Sequence, residues 1–587
     1  MSKPKQFSSD EAKRIGDILS IDWSHVDLEQ FRMGLFVECE HGTKDPETNV
    51  TIEPQLKKWS AKIVETRSGS DRTAATTGPR CGVQRWWRLI AGILALALVR
   101  PGAGLAAEQV SNALILPSLT TAWSAGPDVE PVSATPVSPT LEADWGTGFR
   151  KSYLIPALEI PTFLWLLNRY DRYHYGDDVY GTDWNTGWDH VVHGPWKLDT
   201  DPFGMNMFMH PYMGSINYGF ARSAGLNFWE SLGYTFAASY AWETFGETGP
   251  PSTNDQIMTS FGGSFLGEAL FRMASLVLDD GKPGFWQELG AFALSPSTGV
   301  NRLAFGNRFK AVWVSNDPAI FTRLRLGASL ESHVTDQGVG STLVGTQATA
   351  DFAMNYGLPG KPNYSYNRPF DYFHFEFTAV ASNGNSFENI MTRGLLYGTK
   401  YSAGDAYRGV WGLYGSYDYI SPQVFRVATT ALSVGTTAQW WLSRAVALQY
   451  SALGGIGYGA AGTIRAVGSL AEGVRDYHFG AVPQALLAFR FIFGEAAMFD
   501  LTAREYYVSG VASDNSNGSE RIFRGNASFT VRVYGHHGIG IEYVESRRDA
   551  YYGTLPDRHQ TIGTVSIAYN YLGDIKFGAV EWRDLYR

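Results

Sequence analysis

The sequence predicts a mainly β protein: a C-terminal transmembrane antiparallel β-barrel of about 12 strands, preceded by a helical domain and a small N-terminal helical segment. Three observations support this prediction. The 587-residue chain holds 64 glycines and 14% aromatic residues but only 18% charged residues, whereas soluble proteins average about 25% charged residues. Its C-terminal half alternates apolar and polar residues with a period of two, as barrel walls do. A secretory-type signal precedes both the predicted helical domain and the predicted barrel.

Residues 1–55 predict the small helical segment. Ser8 and Ser9 can cap a helix whose first turn carries Asp10 and Glu11, and acidic residues stabilise that end of a helix. The segments from Glu11 to Gly16, Ile21 to Trp23 and Asp27 to Leu35 resemble domain of unknown function 5661. The resemblance stops after Val50, so this domain is expected to be truncated. Residues 56–82 are polar, lack periodicity and predict a linker.

Residues 83–107 have the order of a signal peptide. Arg85 and Arg88 precede the apolar run from Leu89 to Val99, and the small residues 104–107 follow it. That order is typical of a signal peptidase substrate, and the run is short for a membrane span of roughly 20 residues. The pattern predicts export of everything after about Ala107. Such a signal normally begins a chain, so the sequence indicates either a gene fusion or a later start near Val83.

The two cysteines, Cys39 and Cys81, both precede the predicted cleavage site. The exported chain would therefore lack disulfides and thiolate metal ligands. Residues 108–149 are rich in Pro, Ser and Thr and predict a semi-extended linker.

Residues 150–310 predict the helical domain. Two strongly apolar segments, Asn227 to Glu247 and Ser252 to Leu278, are separated by Gly249-Pro250-Pro251. Helices joined by a tight Pro-containing turn form an antiparallel hairpin.

Residues 311–587 predict the barrel. From Thr322 to His333, apolar Leu324, Leu326 and Leu330 alternate with polar side chains, and four further segments repeat the pattern. A soluble β-sandwich shares this alternation, but the signal, the aromatic content and the lack of cysteine favour the barrel. The predicted lumen-lining residues are Arg323, Arg325, Glu331, His374, Glu376, Asp418, Arg490 and Arg532. They either line a pore or neutralise one another in a filled lumen, and we favour the filled lumen slightly.

Four ionisable residues of the helical domain are the candidate catalytic residues. Glu243 and Glu247 are spaced i, i+4 and share a helix face, Asp255 begins the next helix, and His210 lies upstream. Carboxyl groups gathered among apolar helices can act as general acid and base or bind a hard cation.

A structural interpretation of the same segment is the stronger one. Ser252 and Asp255 resemble a capping box, Glu268 and Arg272 would form an ordinary helix pair, and Gly263 and Gly267 would let two helices approach closely. No trusted metal-ligand spacing is present, so the sequence assigns no cofactor and no metal.

Several short sequence segments of the helical domain resemble domain of unknown function 3943. The resemblance covers residues 150–310 and is best over residues 202–272. The segments are His210-Pro211-Tyr212, Asn227 to Ser231, Trp242-Glu243 and Gly267-Glu268. The resemblance implies an outer-membrane location and implies no reaction.

The function expected from the sequence is that of a bacterial outer-membrane barrel that is structural, forms a pore or binds a solute. The alternative is a lipid-acting enzyme that uses Glu243, Glu247, Asp255 and His210, and the sequence leaves open whether the chain is an enzyme. Expected partners are outer-membrane lipid, the barrel-assembly machinery and a small solute or lipid ligand. The net charge of −9 gives no support for nucleic-acid binding, which favours a basic surface, and no nucleic-acid partner is expected. The helical domain is expected in the barrel mouth or at its periplasmic end.

Overall fold

A computed structural model of the chain describes residues 150–199, 201–279, 283–306, 317–336, 345–381, 387–463, 477–510, 518–553 and 556–582. The predicted N-terminal helical segment, the linkers and the signal peptide lie outside these residues.

Nine α-helices occupy the described residues before the barrel, and we call this region the helical unit. Two short π-helical turns extend helices at their N-terminal ends, Met205–Met209 before α4 and Met258–Gly262 before α7. The helices are α1 Leu154–Tyr175, α2 Asp177–Tyr180, α3 Trp184–Val192, α4 His210–Ser223, α5 Phe228–Phe245, α6 Thr253–Ile257, α7 Gly263–Leu278, α8 Phe285–Leu294 and α9 Pro296–Phe305.

The sequence specifies where α5 and α6 begin. Asn227 accepts a hydrogen bond from the backbone N–H of Glu230, and the Glu230 side chain accepts one from the backbone of Asn227, which is a complete capping box. Ser252 caps α6 by accepting from the backbone N–H of Asp255. The backbone N–H of Ser252 donates to Glu243 rather than to Asp255, so the predicted capping box at Ser252 is half formed.

Twelve antiparallel strands close into one barrel, which confirms the predicted fold class. Each strand pairs with its sequence neighbours, and β1 pairs with β12 to complete the ring. The strands are β1 Ile320–Asp336, β2 Thr346–Tyr356, β3 Phe373–Val380, β4 Phe387–Ala403, β5 Tyr407–Ile420, β6 Phe425–Trp441, β7 Val446–Thr463, β8 Tyr477–Phe493, β9 Ala497–Val508, β10 Gly518–Tyr534, β11 His537–Tyr552 and β12 Arg558–Leu572.

The two ends of the barrel differ in their connections. Four of the connections at one end, residues 404–406, 442–445, 494–496 and 535–536, are short, and we call it the turn end. At the other end, the loop end, residues 337–345, 464–476 and 509–517 make longer connections. Membrane barrels place short turns on the periplasmic side and longer loops outside.

Alternation along the strands separates a charged lumen from an apolar outer wall. On β1, Arg323 and Arg325 point inward and are buried, whereas Leu326 and Leu330 point outward and are exposed. The same holds on β11, where Glu542 points inward and Ile539 and Ile541 are half exposed on the outer wall. Exposed ion pairs on the outer wall, such as Arg521 with Glu505, lie toward the loop end, and the exposed apolar side chains of the remaining wall suit the interior of a bilayer.

The helical unit packs against the outer wall of β2 to β8, not in the barrel mouth or at its periplasmic end, so that expectation is wrong. Phe265 of α7 lies over Gly415 of β5, where a Cβ atom would come within 2.4 Å of its ring. Tyr417 of β5 donates its hydroxyl to the backbone carbonyl of Met207 at 2.7 Å. The reason is the apolar face that α7 presents, which shares one hydrophobic cluster with outward side chains of the strands.

The contact between helical unit and barrel extends over most of the barrel height. Arg272, near the C-terminal end of α7, lies over the Tyr356 ring at the turn end of β2. Phe203 and Phe208, before α4, contact Tyr419 near the loop end of β5. Within the described residues, Thr253–Leu278 is the one helical stretch long and apolar enough to cross a membrane, and 78% of its most apolar window is buried.

The C-terminal segment after β12 folds back into the turn end of the barrel. Gln449 of β7 donates to the backbone carbonyl of Gly578 at 2.7 Å, and Gln439 of β6 both donates to the carbonyl of Val580 and accepts from its N–H. Phe577 is fully buried among side chains of the barrel wall. These contacts close the lumen at this end.

Candidate functional site

Three of the four candidate catalytic residues meet in one buried cluster. His210, Glu243 and Asp255 each offer one nitrogen or oxygen atom, and these three atoms lie within 4.8 Å of one another. The side chains are 6%, 2% and 1% exposed. We call this trio the His–carboxylate cluster.

Three separate elements position the cluster. His210 begins α4 directly after a π-helical turn, Glu243 lies in the last turn of α5, and Asp255 lies in the first turns of α6. The tight Pro-containing connection between α5 and α6 turns the chain so that Glu243 accepts a hydrogen bond from the N–H of Ser252 at 2.8 Å. This contact brings the two carboxyl groups to the same side of the helical hairpin.

Close packing of α4 against the π-helical turn before α7 holds the histidine in place. A Cβ atom on Gly214 would lie 2.0 Å from the carbonyl oxygen of Thr259, so only glycine allows this approach. The hydroxyl of the same Thr259 is 3.3 Å from Nδ1 of His210. The small residues predicted to let helices approach do so, since a Cβ atom on Gly263 would meet Gly214.

Glu247, the fourth candidate, lies beside the cluster. Its Oε1 accepts a hydrogen bond from the indole N–H of Trp242 at 2.8 Å. Burial raises the pKa of Glu247 to about 7, and the nearby His210 opposes that rise. Burial also raises the pKa of Glu243 well above its ordinary value, with further contributions from Asp255 and Glu247.

Burial has the opposite effect on the histidine. Loss of water around His210 lowers its pKa, and the carboxyl groups of Glu247, Asp199 and Asp201 oppose the change. Sequence reasoning missed these two aspartates, which precede α4 and belong to no recognisable motif. The one available signal was their position upstream of the His-Pro-Tyr segment that begins at His210. A neutral imidazole among protonatable carboxyl groups can accept or transfer a proton near neutral pH.

The cluster lies toward the loop end of the barrel. Tyr477, the first residue of β8, donates to the backbone carbonyl of Asp201 at 3.2 Å. Tyr458 of β7 carries a buried hydroxyl on the outer wall, within electrostatic range of Asp255. The outer wall of the barrel therefore forms one side of the site.

Glu268 and Arg272 form more than the ordinary helix pair predicted for them. Both side chains are fully buried. Glu268 accepts from Nε of Arg272 at 2.7 Å, from Nε of Arg222 at 2.9 Å and from the Tyr218 hydroxyl at 2.7 Å. Arg272 also reaches Asp371 of the β2–β3 connection, so this network joins α4, α7 and the barrel.

The predicted lumen residues pair with one another or with charged residues from distant strands. Arg323 on β1 reaches Asp500 on β9 at 3.0 Å, and Asp418 on β5 accepts from Arg504 on β9 at 3.3 Å. The other pairs are Arg325 with Glu542, Arg490 with Asp500, His374 with Glu376, and Arg524 with Glu388. Glu331 is buried near the loop end, beside Gly345, and Arg532 lies at the turn end beside Glu495.

The cross-lumen pairs leave little open space. Among the described residues, a cavity of about 90 Å³ lies between Arg323, His374, Arg490 and Arg504, and another of about 40 Å³ lies beside Arg325 and Glu542. Sequence reasoning missed Asp351, Asp500, Arg504, Arg524 and Glu542, although the period-two alternation around them was available as a signal.

Comparison with known proteins shows that the segment holding this site matches a family model whose description gives no activity. Residues 195–297 match the family model described as Domain of unknown function (DUF3943). The match includes His210, Glu243, Glu247 and Asp255. Residues 12–64 match the model described as Protein of unknown function (DUF5661). Both matches confirm the families that the sequence resembles. The second match extends to residue 64, so the expected end of that resemblance after Val50 is wrong.

No curated protein matches the chain. Solved structures similar to it include the outer membrane channel DcaP of Acinetobacter baumannii, at 7% identity over 43% of this chain and 96% of that chain, with a TM-score of 0.22. The NanC porin matches at 8% identity over 42% and 98%, with a TM-score of 0.21. The anion-selective porin from Comamonas acidovorans matches at 7% identity over 43% and 99%, with a TM-score of 0.19. Similarity at this level carries no inference about what the chain binds or transports.

Proposed function

We propose that this chain is an outer-membrane protein whose barrel holds the helical unit beside it in the lipid, and that the helical unit acts on membrane lipid through the His–carboxylate cluster. The observation that carries the proposal is the position of the cluster. It lies in helices packed on the apolar outer wall, where lipid is the neighbouring phase, and not in the lumen, where a transported solute would pass.

The outer wall supports a membrane location. Side chains such as Leu326, Ile541 and Ile567 are exposed there, while Arg325 of β1 and Glu542 of β11 pair inside. A closed barrel leaves no unpaired strand edge, which is the condition for crossing a bilayer with strands.

The exposed surface of the helical unit continues this apolar character. Leu154, Leu158, Trp165 and Leu166 of α1 are each more than half exposed. Exposed apolar patches of this kind mark contact with a membrane or a partner. Because the helical unit already contacts the lipid-facing wall, the proposal assigns this surface to lipid.

The filled lumen argues against an open pore as the main function. Ion pairs cross the lumen at several levels, as between Arg504 and Asp418, and residues 573–582 occupy the turn end. Arg323 and Asp500 form an ion pair, with 3.0 Å between Nη1 and Oδ2. A barrel filled in this way is better suited to anchoring the helical unit in the membrane than to passing a solute.

The chemistry offered by the cluster is proton transfer at the lipid surface. Glu247, with a pKa of about 7, has the value that general acid–base catalysis favours near neutral pH. On the loop side of the barrel, which faces outward in membrane barrels, the headgroup linkages of outer-leaflet lipid are the bonds within reach. Hydrolysis or transfer at an ester, amide or phosphate linkage is the reaction class proposed.

The test compares lipid profiles by mass spectrometry in host cells lacking the chain and in cells restored with Glu243→Gln, Glu247→Gln or Glu230→Gln. Glu230 is the matched control because it lies on the same helix, α5, in a surface capping box. We expect the native chain and Glu230→Gln to restore a lipid change that Glu243→Gln abolishes.

Two results would overturn the proposal. One is an unchanged lipid profile in cells that lack the chain. The other is full restoration by Glu243→Gln with the barrel folded, shown by the shift in gel mobility on heating. Steady single-channel conductance of the native chain would instead favour the pore function.

A further inference from the structure

We infer that His210, Glu243 and Asp255 together bind one divalent transition-metal ion. The role assigned to the ion, as the electrophile of a lipid-acting centre, rests on the proposed function. The binding site itself rests on the charges, contacts and burial of the three side chains.

The first argument is a missing positive charge. Glu268, fully buried in the same helical unit, accepts hydrogen bonds from Arg222 and Arg272. Glu243 is 2% exposed, and among the described residues its carboxyl group accepts one backbone hydrogen bond and forms no ion pair with an arginine or lysine. A buried ionised carboxylate is stable only when paired with a positive group or coordinated to a metal. A bound cation would neutralise the negative charge of Glu243 and Asp255, as two arginines neutralise the charge of Glu268.

The second argument is an unpartnered oxygen. Oε2 of Glu243 accepts from the N–H of Ser252 at 2.8 Å, but Oε1 is buried and has no hydrogen-bond partner. Leaving a buried polar atom unpaired costs about 1–3 kcal/mol, and more when the atom is charged. A metal ligand bond would satisfy this oxygen.

The third argument is the spacing of the donor atoms. The three atoms lie within 4.8 Å of one another, whereas ligands at bond lengths of about 2.0–2.2 Å lie roughly 3 to 4 Å apart. Closing the cluster around an ion therefore needs side-chain movements of less than about 1 Å.

Hydrogen bonds around the cluster already orient each ligand. Nδ1 of His210 is 3.3 Å from the hydroxyl of Thr259, Glu243 accepts from Ser252, and Asp255 accepts from the side-chain amide of Asn254 at 3.0 Å. Outer contacts of this kind fix the orientation of metal ligands and tune their basicity.

The donor set indicates the class of metal. One imidazole with two carboxylates suits Zn²⁺ or Mn²⁺, whereas Mg²⁺ and Ca²⁺ favour sites made of oxygen alone. Three protein ligands leave a coordination position for water or substrate, as in catalytic rather than structural zinc sites.

The experiment measures metal binding by the full-length protein, purified in detergent and stripped with EDTA. We expect about one equivalent of Zn²⁺ or Mn²⁺ to bind, followed by elemental analysis and by calorimetric titration, and Co²⁺ to give visible absorption bands. His210→Ala, Glu243→Gln and Asp255→Asn should each weaken Zn²⁺ binding at least 100-fold. Glu230→Gln, on the surface of α5, should bind as the native chain does.

Folding of every variant is checked by heat-dependent gel mobility and by far-UV circular dichroism. Glu243→Asp is a second variant that keeps the carboxylate, and we expect it to retain weakened Zn²⁺ binding. The inference is overturned if the folded native protein takes up no ion, or if His210→Ala and Glu243→Gln bind Zn²⁺ as tightly as Glu230→Gln. Metal binding without any lipid change would overturn the proposed function alone. A lipid change that survives both EDTA and His210→Ala would overturn the role of the ion as electrophile, whereas binding itself is decided by the titration.

Discussion

Tyr417 on the outer wall of the barrel donates its hydroxyl to the backbone carbonyl of Met207 in the helical unit, at 2.7 Å. Both groups are buried, and Met207 lies in the π-helical turn that leads into His210. The barrel therefore contacts the segment that sets the position of the histidine. A change on the barrel surface can alter the cluster without touching it.

Tyr417→Phe tests this relationship. Removing the hydroxyl leaves the Met207 carbonyl buried without this donor, which costs about 1–3 kcal/mol. We expect the free energy of unfolding of the helical unit, followed by its circular dichroism at 222 nm in urea, to fall by about that amount. Tyr397→Phe is the matched control, since Tyr397 lies on the same wall and its ring stacks on Trp229; an equal loss in both variants would contradict the prediction.

Glu268→Gln is expected to be the most damaging single change in the helical unit. It leaves the buried guanidinium groups of Arg222 and Arg272 without their shared carboxylate, and breaking a buried ion pair costs about 3–5 kcal/mol. Urea unfolding of the helical unit measures the loss. Glu230→Gln, which weakens a surface capping box, should cost no more than about 1 kcal/mol. Comparable losses in the two variants would show that the buried network contributes little.

Two glycine substitutions should have opposite signs. Gly214→Ala places a methyl group against the Thr259 carbonyl, and overpacking of this kind costs about 1–3 kcal/mol. Gly233→Ala, on the exposed face of α5, has open space around the added Cβ atom and should stabilise the helix by up to about 1 kcal/mol. Thermal unfolding of the two variants checks both signs, and a stable Gly214→Ala would contradict the close contact described here.

The helical unit should lose stability as pH rises through the titration range of Glu159. Burial raises the pKa of this carboxyl on α1 from 4.5 to about 7, and a contact with Asn301 opposes the rise. The folded state then holds a proton that the unfolded state releases, so stability falls between about pH 4.5 and 7 and levels off above. Urea midpoints measured across this range should fall less steeply in Glu159→Gln, with the remaining slope due to carboxyl groups such as Glu247, whose pKa burial also raises to about 7. A midpoint that rises with pH in the native chain but not in the variant would reverse the assignment.

The native barrel should show no steady conductance in planar bilayers. Replacing both cross-lumen pairs by alanine, Arg323 with Asp500 and Arg504 with Asp418, removes side chains that fill the lumen and also takes Asp500 away from Arg490. We expect this fourfold variant to conduct ions measurably more than the native chain. A native barrel that already conducts like an open pore would show that water and ions pass between these pairs.

Local patterns were sufficient to predict the barrel, because its strands repeat a period of two that each segment displays by itself. The i, i+4 spacing of Glu243 and Glu247 likewise indicated a shared helix face. The pairing of Arg323 with Asp500 was out of reach, since β1 and β9 face each other only when the ring closes. The position of the helical unit was mispredicted because an apolar face on α7 suits the inside of a helical bundle and the outside of a barrel equally well.

The coverage of the outer wall has a consequence for how the molecule assembles. The helices lie on β2 to β8, whereas the seam between β1 and β12 carries Leu326, Ile567 and Tyr569 exposed on its outer face. The helices precede the strands in the chain, and the exposed side chains of Leu326, Leu330 and Ile567 leave much of the last pair of strands uncovered. Pairing of β1 with β12 can therefore close the barrel after the helices have docked on the outer wall.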